Sequence, residues 1–453
     1  MNIIIAGDGK VGKMLTRQLS GEGHDLTLID NNPSTLESTI EKYDVMSVIG
    51  NCASMDVLRS AGVEEADLLI AATGVDELNI LCCQTARGMN PSIQTIARIR
   101  TPEYAETVAV LQSTFGMSLI VNPERQASRE ILRVIHYPGF LKREKFANGI
   151  VELVELKVME DSILKDKRLL QLPDVVRTQV LVCAVLRNGK AEIPSGDFTL
   201  RTGDRIYVTA SGRNLRQLLR NIGVNLPKIR YVYIAGGGRS SYYLAKALIE
   251  DGIRVKILEK ERDRCESLAE LIPEATIVQA DVGSRMDLER ENMASADAVV
   301  TMTGLDELNV ILSLYATSIG VPTVITKLGR AENPEILDQL SIGSTVCPKE
   351  LCTNAIIRYV RAMENSVDAA LTVRSIADGQ AEAIEFMVDE YTKHKGEPLK
   401  DINLKKNVLV ASITRGKSLI FPKGDTKLLE GDHVVIIAGS ESAIQQLNDI
   451  FAE

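Results

Sequence analysis

A hydrophobic strand running into a glycine-rich turn constrains this chain more than any other feature, because it occurs twice. Ile3-Ile-Ile-Ala-Gly-Asp-Gly-Lys-Val-Gly12 is matched by Tyr231-Val-Tyr-Ile-Ala-Gly-Gly-Gly-Arg-Ser-Ser241. Gly7 and Gly9 fall on Gly236 and Gly238, and Asp30 falls on Glu259, all at an offset of 229. Each copy reads as strand, turn, helix, then a second strand ending in an acid. That is the dinucleotide-binding fingerprint. At average glycine usage a chain of this length yields about 0.15 chance matches. Two copies in register, each with its acid, are not an accident.

The residue types fit the chemistry. Glycines at 7 and 9 let the backbone turn tightly and approach a pyrophosphate, and Gly12 lets helix and strand pack closely. The helix N-terminus offers free N–H groups and a positive dipole end. Lys10 and Arg239 add a cation at equivalent positions of the two turns. Asp30 suits a ribose 2′-hydroxyl and repels the 2′-phosphate of NADP. Thr73-Gly74 and Thr303-Gly304 are expected at the carboxyl end of the fourth strands, facing the ligand crevice. Arg98 and Lys327 end the fifth strands, where they neutralise a diphosphate or sit solvated or salt-bridged. The second site departs from the first. Ser241 replaces the third glycine, Glu259 is one methylene longer than Asp30, and ADP or ATP fits there as well as NAD. The alternative for either turn is a Rossmann unit that keeps the shape without a ligand.

Strand and helix patterns alternate after each turn, which favours a doubly wound parallel sheet. Asp76-Glu-Leu-Asn79 recurs as Asp306-Glu-Leu-Asn309, and Ile96-Ala-Arg98 is answered by Ile325-Thr-Lys327. Asp76-Glu77 and Asp306-Glu307 read as helix N-terminal acids rather than catalytic pairs. Each sheet is followed by a smaller repeating lobe. Pro194-Ser-Gly-Asp197, Leu200 and Gly203-Asp204 match Pro422-Lys-Gly-Asp425, Leu428 and Gly431-Asp432. A short closing helix is expected near Leu215–Ile222 and again near Ser442–Phe451. The expected fold is therefore α/β: two Rossmann-like doubly wound parallel-sheet domains, each followed by a small α+β lobe. The divisions are residues 1–140, 141–225, 226–366 and 367–453, with charged joints at Leu141–Lys145 and Pro227–Arg230.

Composition narrows the function. A net charge of −9 argues against a general nucleic-acid binder, which needs a basic face. Of the seven cysteines none forms a CxxC pair, so neither a disulfide framework nor a zinc site is expected. Cys52 stands out for its place near the ligand edge. The four histidines, at 24, 136, 394 and 433, lack metal-ligand spacing. The chain enters a strand at Asn2 without a secretory-type segment. Leu308–Thr326 is uncharged, but Gly320-Val-Pro322 divides it into helix and strand, so any membrane role is expected to be peripheral. Apolar positions Ile131, Leu132 and Ile135, with Ile356, Ile357 and Val360, give the last helix of each sheet domain one apolar face.

These motifs together resemble the tandem RCK (regulator of potassium conductance) family, the peripheral subunits of the bacterial Trk potassium-uptake system. The resemblance spans essentially the whole chain, each sheet domain matching RCK-N and each lobe RCK-C. It implies a non-enzymatic cytoplasmic regulator on the inner face of the plasma membrane. Such a protein forms a homo-oligomer, a tetrameric ring, beneath an integral-membrane potassium-translocating subunit of the TrkH/TrkG type. Nucleotides bias the ring: NAD(H) at the first site, and NAD(H), ADP or ATP at the second. The resemblance implies first-site contacts at Gly7, Asp8, Gly9, Lys10, Val11, Asp30, Thr73, Gly74 and Arg98. For the second it implies Gly236, Gly237, Gly238, Arg239, Ser240, Glu259, Thr303, Gly304 and Lys327. Asp8 and Ser241 depart from the family pattern. Last-helix faces pack domains pairwise in the family; the alternative is packing within their own domain. An NAD-dependent oxidoreductase, or an NAD-responsive regulator of another partner, remains open.

Overall fold

Short aliphatic runs bounded by polar turns form the expected strands. In the first sheet these are β1 (Asn2–Ala6), β2 (Asp25–Asp30), β3 (Met46–Ile49), β4 (Leu68–Ala71), β5 (Gln94–Arg98) and β6 (Leu119–Val121). All pair in parallel, in the order β3-β2-β1-β4-β5-β6. Along β4 every residue is buried, as a sheet covered by helices on both faces requires. Strand order reverses between β1 and β4, which opens the crevice where such sheets take ligands. The second sheet repeats this order with Thr276–Gln279, Arg254–Glu259, Tyr231–Ala235, Ala298–Thr301, Thr323–Lys327 and Ser344–Val346. This computed structural model describes the chain apart from residues 106, 137–141, 224–228, 330–339, 341, 364–369, 440–443, 445 and 453.

The chain forms two compact units that pair like with like. One contains both sheet domains, Met1–His136 with Pro227–Tyr359; the other contains both lobes, Tyr137–Leu226 with Val360–Glu453. The expected divisions at 140/141, 225/226 and 366/367 lie outside the described residues, as do parts of both charged joints. In the first unit the helix Pro123–His136 leaves its own sheet. Its Ala127, Ile131 and Ile135 join a core with Val232, Leu244, Ala245 and Leu248 of the second domain. Ser128 Oγ donates to the Ser240 carbonyl at 2.8 Å, and His136 meets Asp251 at 2.9 Å. In the reverse direction Tyr359, on the helix Pro348–Met363, donates to Gln94 at 3.2 Å. The apolar face of the first crossover helix thus packs across the repeat rather than within its own domain.

In the second unit each lobe is a five-stranded antiparallel sheet of the same connectivity. The repeated Gly-Asp pairs have a shared cause. Gly203 and Gly431 turn with φ near +88° and +82°, which glycine tolerates best. Asp204 and Asp432, both buried, each receive a two-pronged arginine. Arg187 contributes two bonds of 2.7 Å, and Arg415 two of 2.8 Å. Phe146, Val151 and Cys183 share a core with Ile376, Ala383 and Ile437, so the lobes complete each other. The first closing helix is Gly212–Asn221. The second was expected from Ser442, a region only partly described, and its described portion is a 3-10 turn at Leu447–Ile450.

No described helix is long and apolar enough to cross a membrane. Leu308–Thr326 is a helix ending at Ser318 followed by a strand starting at Thr323.

Candidate functional site

Gly7 follows β1 with φ +98°, and a Cβ there would sit 2.9 Å from the Thr73 backbone. The turn and the loop after β4 are therefore pressed together, which only glycine allows. Gly9 has open space where its Cβ would be, and it begins the helix Lys10–Gly21 without a side-chain cap. Its backbone faces a cavity of about 580 Å³. The helix N-terminus thereby points free N–H groups into that cavity. Gly12 shows why the third glycine matters: a Cβ would meet the Gly7 carbonyl oxygen at 2.1 Å.

The acid after β2 shapes the turn. Asp30 Oδ2 accepts from the Asp8 N–H at 2.8 Å, and Oδ1 accepts from Asn32 N–H at 2.9 Å. A carboxylate has about four acceptor positions, so about two remain on Asp30, which lines the cavity. That number matches a ribose diol. The Asp8 side chain points elsewhere: it is fully buried and accepts from Thr39 Oγ1 at 2.6 Å. Burial pushes its carboxyl above the usual range. Asp8, expected as a ligand contact, does not line the cavity: its N–H is taken by Asp30, and its side chain braces the helix Pro33–Ile40.

The repeated letters Asp-Glu-Leu-Asn hold the loops that face the crevice. Asn79 accepts from Thr73 N–H at 2.9 Å and from its hydroxyl at 2.7 Å, and donates to the Arg98 carbonyl at 2.8 Å. Asn309 does the same for Thr303 and Lys327, at 2.8, 2.7 and 3.0 Å. Asp76 accepts from the backbones of Arg100 and Thr101 at 2.9 and 2.8 Å. Burial works to raise its pKa, but these bonds and the Thr101 hydroxyl outweigh it, and the carboxyl is held below its ordinary value. Asp306 likewise accepts from Gly329 at 2.7 Å. The expectation of helix N-terminal acids is thus sharpened: both acids clamp the loop after the fifth strand.

Thr73, Gly74 and Arg98 line the first cavity together with Gly7, Lys10 and Val11. Arg98 donates to the Thr73 carbonyl at 2.5 Å; burial, then the charge of Arg100, lowers its pKa. Cys52 also lines this cavity. The hydrogen bond with Cys82 holds its thiol below the usual range.

The second turn keeps the backbone and changes the filling. Gly236 has φ +102°, and Gly238 begins the helix Arg239–Glu250 without a side-chain cap. Glu259 accepts from Gly237 N–H at 2.6 Å, from Lys260 at 2.7 Å and from Glu261 at 2.9 Å. About one acceptor position remains. A Cβ at Gly237 would lie 2.8 Å from Leu268 and 2.9 Å from the Glu259 carboxylate. The longer acid therefore requires glycine where the first turn carries Asp8. Ser241 is fully buried, and its hydroxyl donates to the Gly236 carbonyl at 2.5 Å. A second cavity, about 590 Å³, lies between the two sheet domains and is lined by Ser240, Gly304 and Lys327 with Lys10, Arg98, Arg100 and Lys349, but not by Gly236, Gly237, Gly238, Arg239, Glu259 or Thr303. Lys327 donates to the Met302 carbonyl at 3.1 Å, and burial lowers its pKa. Reading the sequence missed two residues that reach these cavities from the far repeat, Glu124 and Lys349.

Residues 3–123 and 232–348 match the TrkA-N domain family, and residues 153–223 and 383–452 match the TrkA-C domain family. The chain is 31% identical over 451 residues to a Trk system potassium uptake protein TrkA homolog from Archaeoglobus fulgidus, with all of both chains covered. It is 30% identical over 457 residues to the Trk system potassium uptake protein TrkA of Vibrio alginolyticus, covering 100% of this chain and 98% of that protein. The solved structure of the GsuK channel bound to NAD matches with a TM-score of 0.61 at 18% identity, over 97% of this chain and 77% of that one. That likeness is one of fold.

Proposed function

Since the chain belongs to the TrkA family, with paired TrkA-N and TrkA-C domains along its length, we propose that it is a nucleotide-sensing regulatory subunit of potassium uptake. In this reading the four segments 1–140, 141–225, 226–366 and 367–453 are two RCK-N/RCK-C pairs. NAD(H) occupies the first turn, and NAD(H), ADP or ATP the second. The protein works as a homo-oligomeric ring, a tetramer, on the cytoplasmic side of an integral-membrane potassium-translocating subunit of the TrkH/TrkG type.

The observation that carries this reading is the first cavity. The capless helix start after Gly9, Lys10 and Arg98 suit a diphosphate, and the spare acceptor positions of Asp30 suit a ribose. These groups bind and orient; the reading gives them no chemical step. The crossover helices support communication between sites, since each sheet domain takes part of its packing from the other. A nucleotide shifts such an arrangement only through differential affinity for two states.

The test is potassium flux through the membrane subunit reconstituted in vesicles. Flux is expected to respond to NADH with the wild-type chain and to lose that response when Gly9 and Asp30 are replaced together. A full response in the double variant contradicts the first turn as the sensor.

A further inference from the structure

One electrical difference between the two cavities comes from residues that neither turn contains. Pro123-Glu124 and Pro348-Lys349 open the last helix of each sheet domain at matching positions. These are the helices that cross to the other domain. Lys349 consequently lines the first cavity beside Gly9, Lys10 and Arg98, although it belongs to the second repeat. Its ammonium donates to the Gly329 carbonyl at 2.7 Å. Burial and the nearby charge of Lys10 both lower its pKa. Two ammonium groups and a guanidinium therefore border one cavity. The nearby Asp306 carboxylate is itself engaged by the Gly329 N–H at 2.7 Å. Partly buried like charges held together are stabilised by an anion between them.

The mirror position carries the opposite sign. Glu124, from the first repeat, stands 3.9 Å from Arg100; burial raises its pKa against the pull of Arg100, Arg98 and Arg239. Its Oε2 is buried and lacks a hydrogen-bond partner among the described residues. Lys327 also feels its charge. Glu124 lines the second cavity and not the first, so there it offsets part of the positive charge of Lys10, Arg98, Arg100, Lys327 and Lys349.

We infer that Lys349 is a phosphate-contacting residue of the first nucleotide site, supplied by the second repeat, and that Glu124 limits the second site to ligands of lower negative charge. This rests on the reading of the first turn as a nucleotide site. A phosphate held by Lys10 from one domain and Lys349 from the other ties the two domains together, so occupancy is felt in both.

The test is calorimetric titration of the full chain with ADP and with uncharged adenosine, at one ionic strength. Loss of a charge-assisted contact in Lys349→Met is expected to weaken ADP at the tighter site about tenfold and leave adenosine unchanged, with Lys349→Arg close to wild type. Retained adenosine binding also reports that the variant is folded; if Lys349→Met does not fold, Lys349→Gln is read in the same way. Asp30→Ala, which acts on the sugar, is expected to weaken both ligands. Glu124→Gln is expected to strengthen ADP at the weaker site. If Asp30→Ala weakens ADP and Lys349→Met does not, the nucleotide site stands and Lys349 is not part of it. Equal loss of ADP and adenosine in Lys349→Met means a structural role and overturns the inference. If neither substitution changes ADP binding, the nucleotide reading of the first turn fails and this inference with it. Unchanged or weaker ADP at the second site in Glu124→Gln overturns the part assigned to Glu124.

Discussion

The two glycine turns have nearly the same backbone and different interiors. At the first, Gly12 lies against the Gly7 carbonyl, and a small acid, Asp30, leaves room for Asp8. At the second, Ser241 spans the equivalent gap with a hydroxyl, and a longer acid, Glu259, needs glycine at 237. The residues change in compensating sets. A departure from a motif is therefore best judged with its neighbours: Ser241 preserves a turn, and Asp8 is possible because Asp30 is short. The same comparison separates shape from ligand. Both turns keep the shape, but Asp30 retains about two acceptor positions where Glu259 retains about one.

The sharpest way to break this comparison is Gly12→Ala. The added methyl meets a backbone oxygen, so the turn must shift, at a cost of about 3 kcal/mol. A fall in the unfolding midpoint of the full chain, with weaker NADH binding, is the expected result; an unchanged midpoint means that the first turn already has the freedom of the second. Next in size is Gly237→Asp, which overpacks Leu268 and Glu259 by about 2 kcal/mol. Adding Glu259→Asp recreates the first turn's pair and is expected to recover most of the loss. If the double variant is no better than the single one, the two positions are not coupled. Smallest is Ser241→Ala, which removes one buried hydrogen bond and leaves the Gly236 carbonyl short of a donor. It is expected to cost about 1 kcal/mol, seen as a slight midpoint shift.

The sequence made the turns legible because glycine spacing, a following helix and a distant acid are local and periodic signals. The repeat offset extended that reading to the loops after the fourth and fifth strands. What the letters did not disclose was the work of Asp76 and Asn79, because a repeated tetrapeptide shows identity without partners. Their hydrogen bonds reach Arg98, Arg100 and Thr101, 19 to 25 residues away. The apolar face at Ile131 and Ile135 was visible, but periodicity gives a face and never what covers it. That cover is a helix more than a hundred positions later. Glu124 and Lys349 escaped for the same reason: each belongs to one repeat in sequence and serves the other in space. The lobes were legible as repeats through their Gly-Asp pairs, whereas Arg187 and Arg415, which hold those acids, and the core the lobes share depend on pairings across the chain.

The most direct test of the account is a titration of the full chain with NADH, comparing Asp30→Ala with Glu259→Ala. The account predicts that Asp30→Ala removes about 1–3 kcal/mol from the tighter binding event, through loss of charged hydrogen bonds to the ribose, while Glu259→Ala leaves that event intact. Equal weakening by both substitutions would contradict it, since the two turns would then be equivalent sites despite their different interiors.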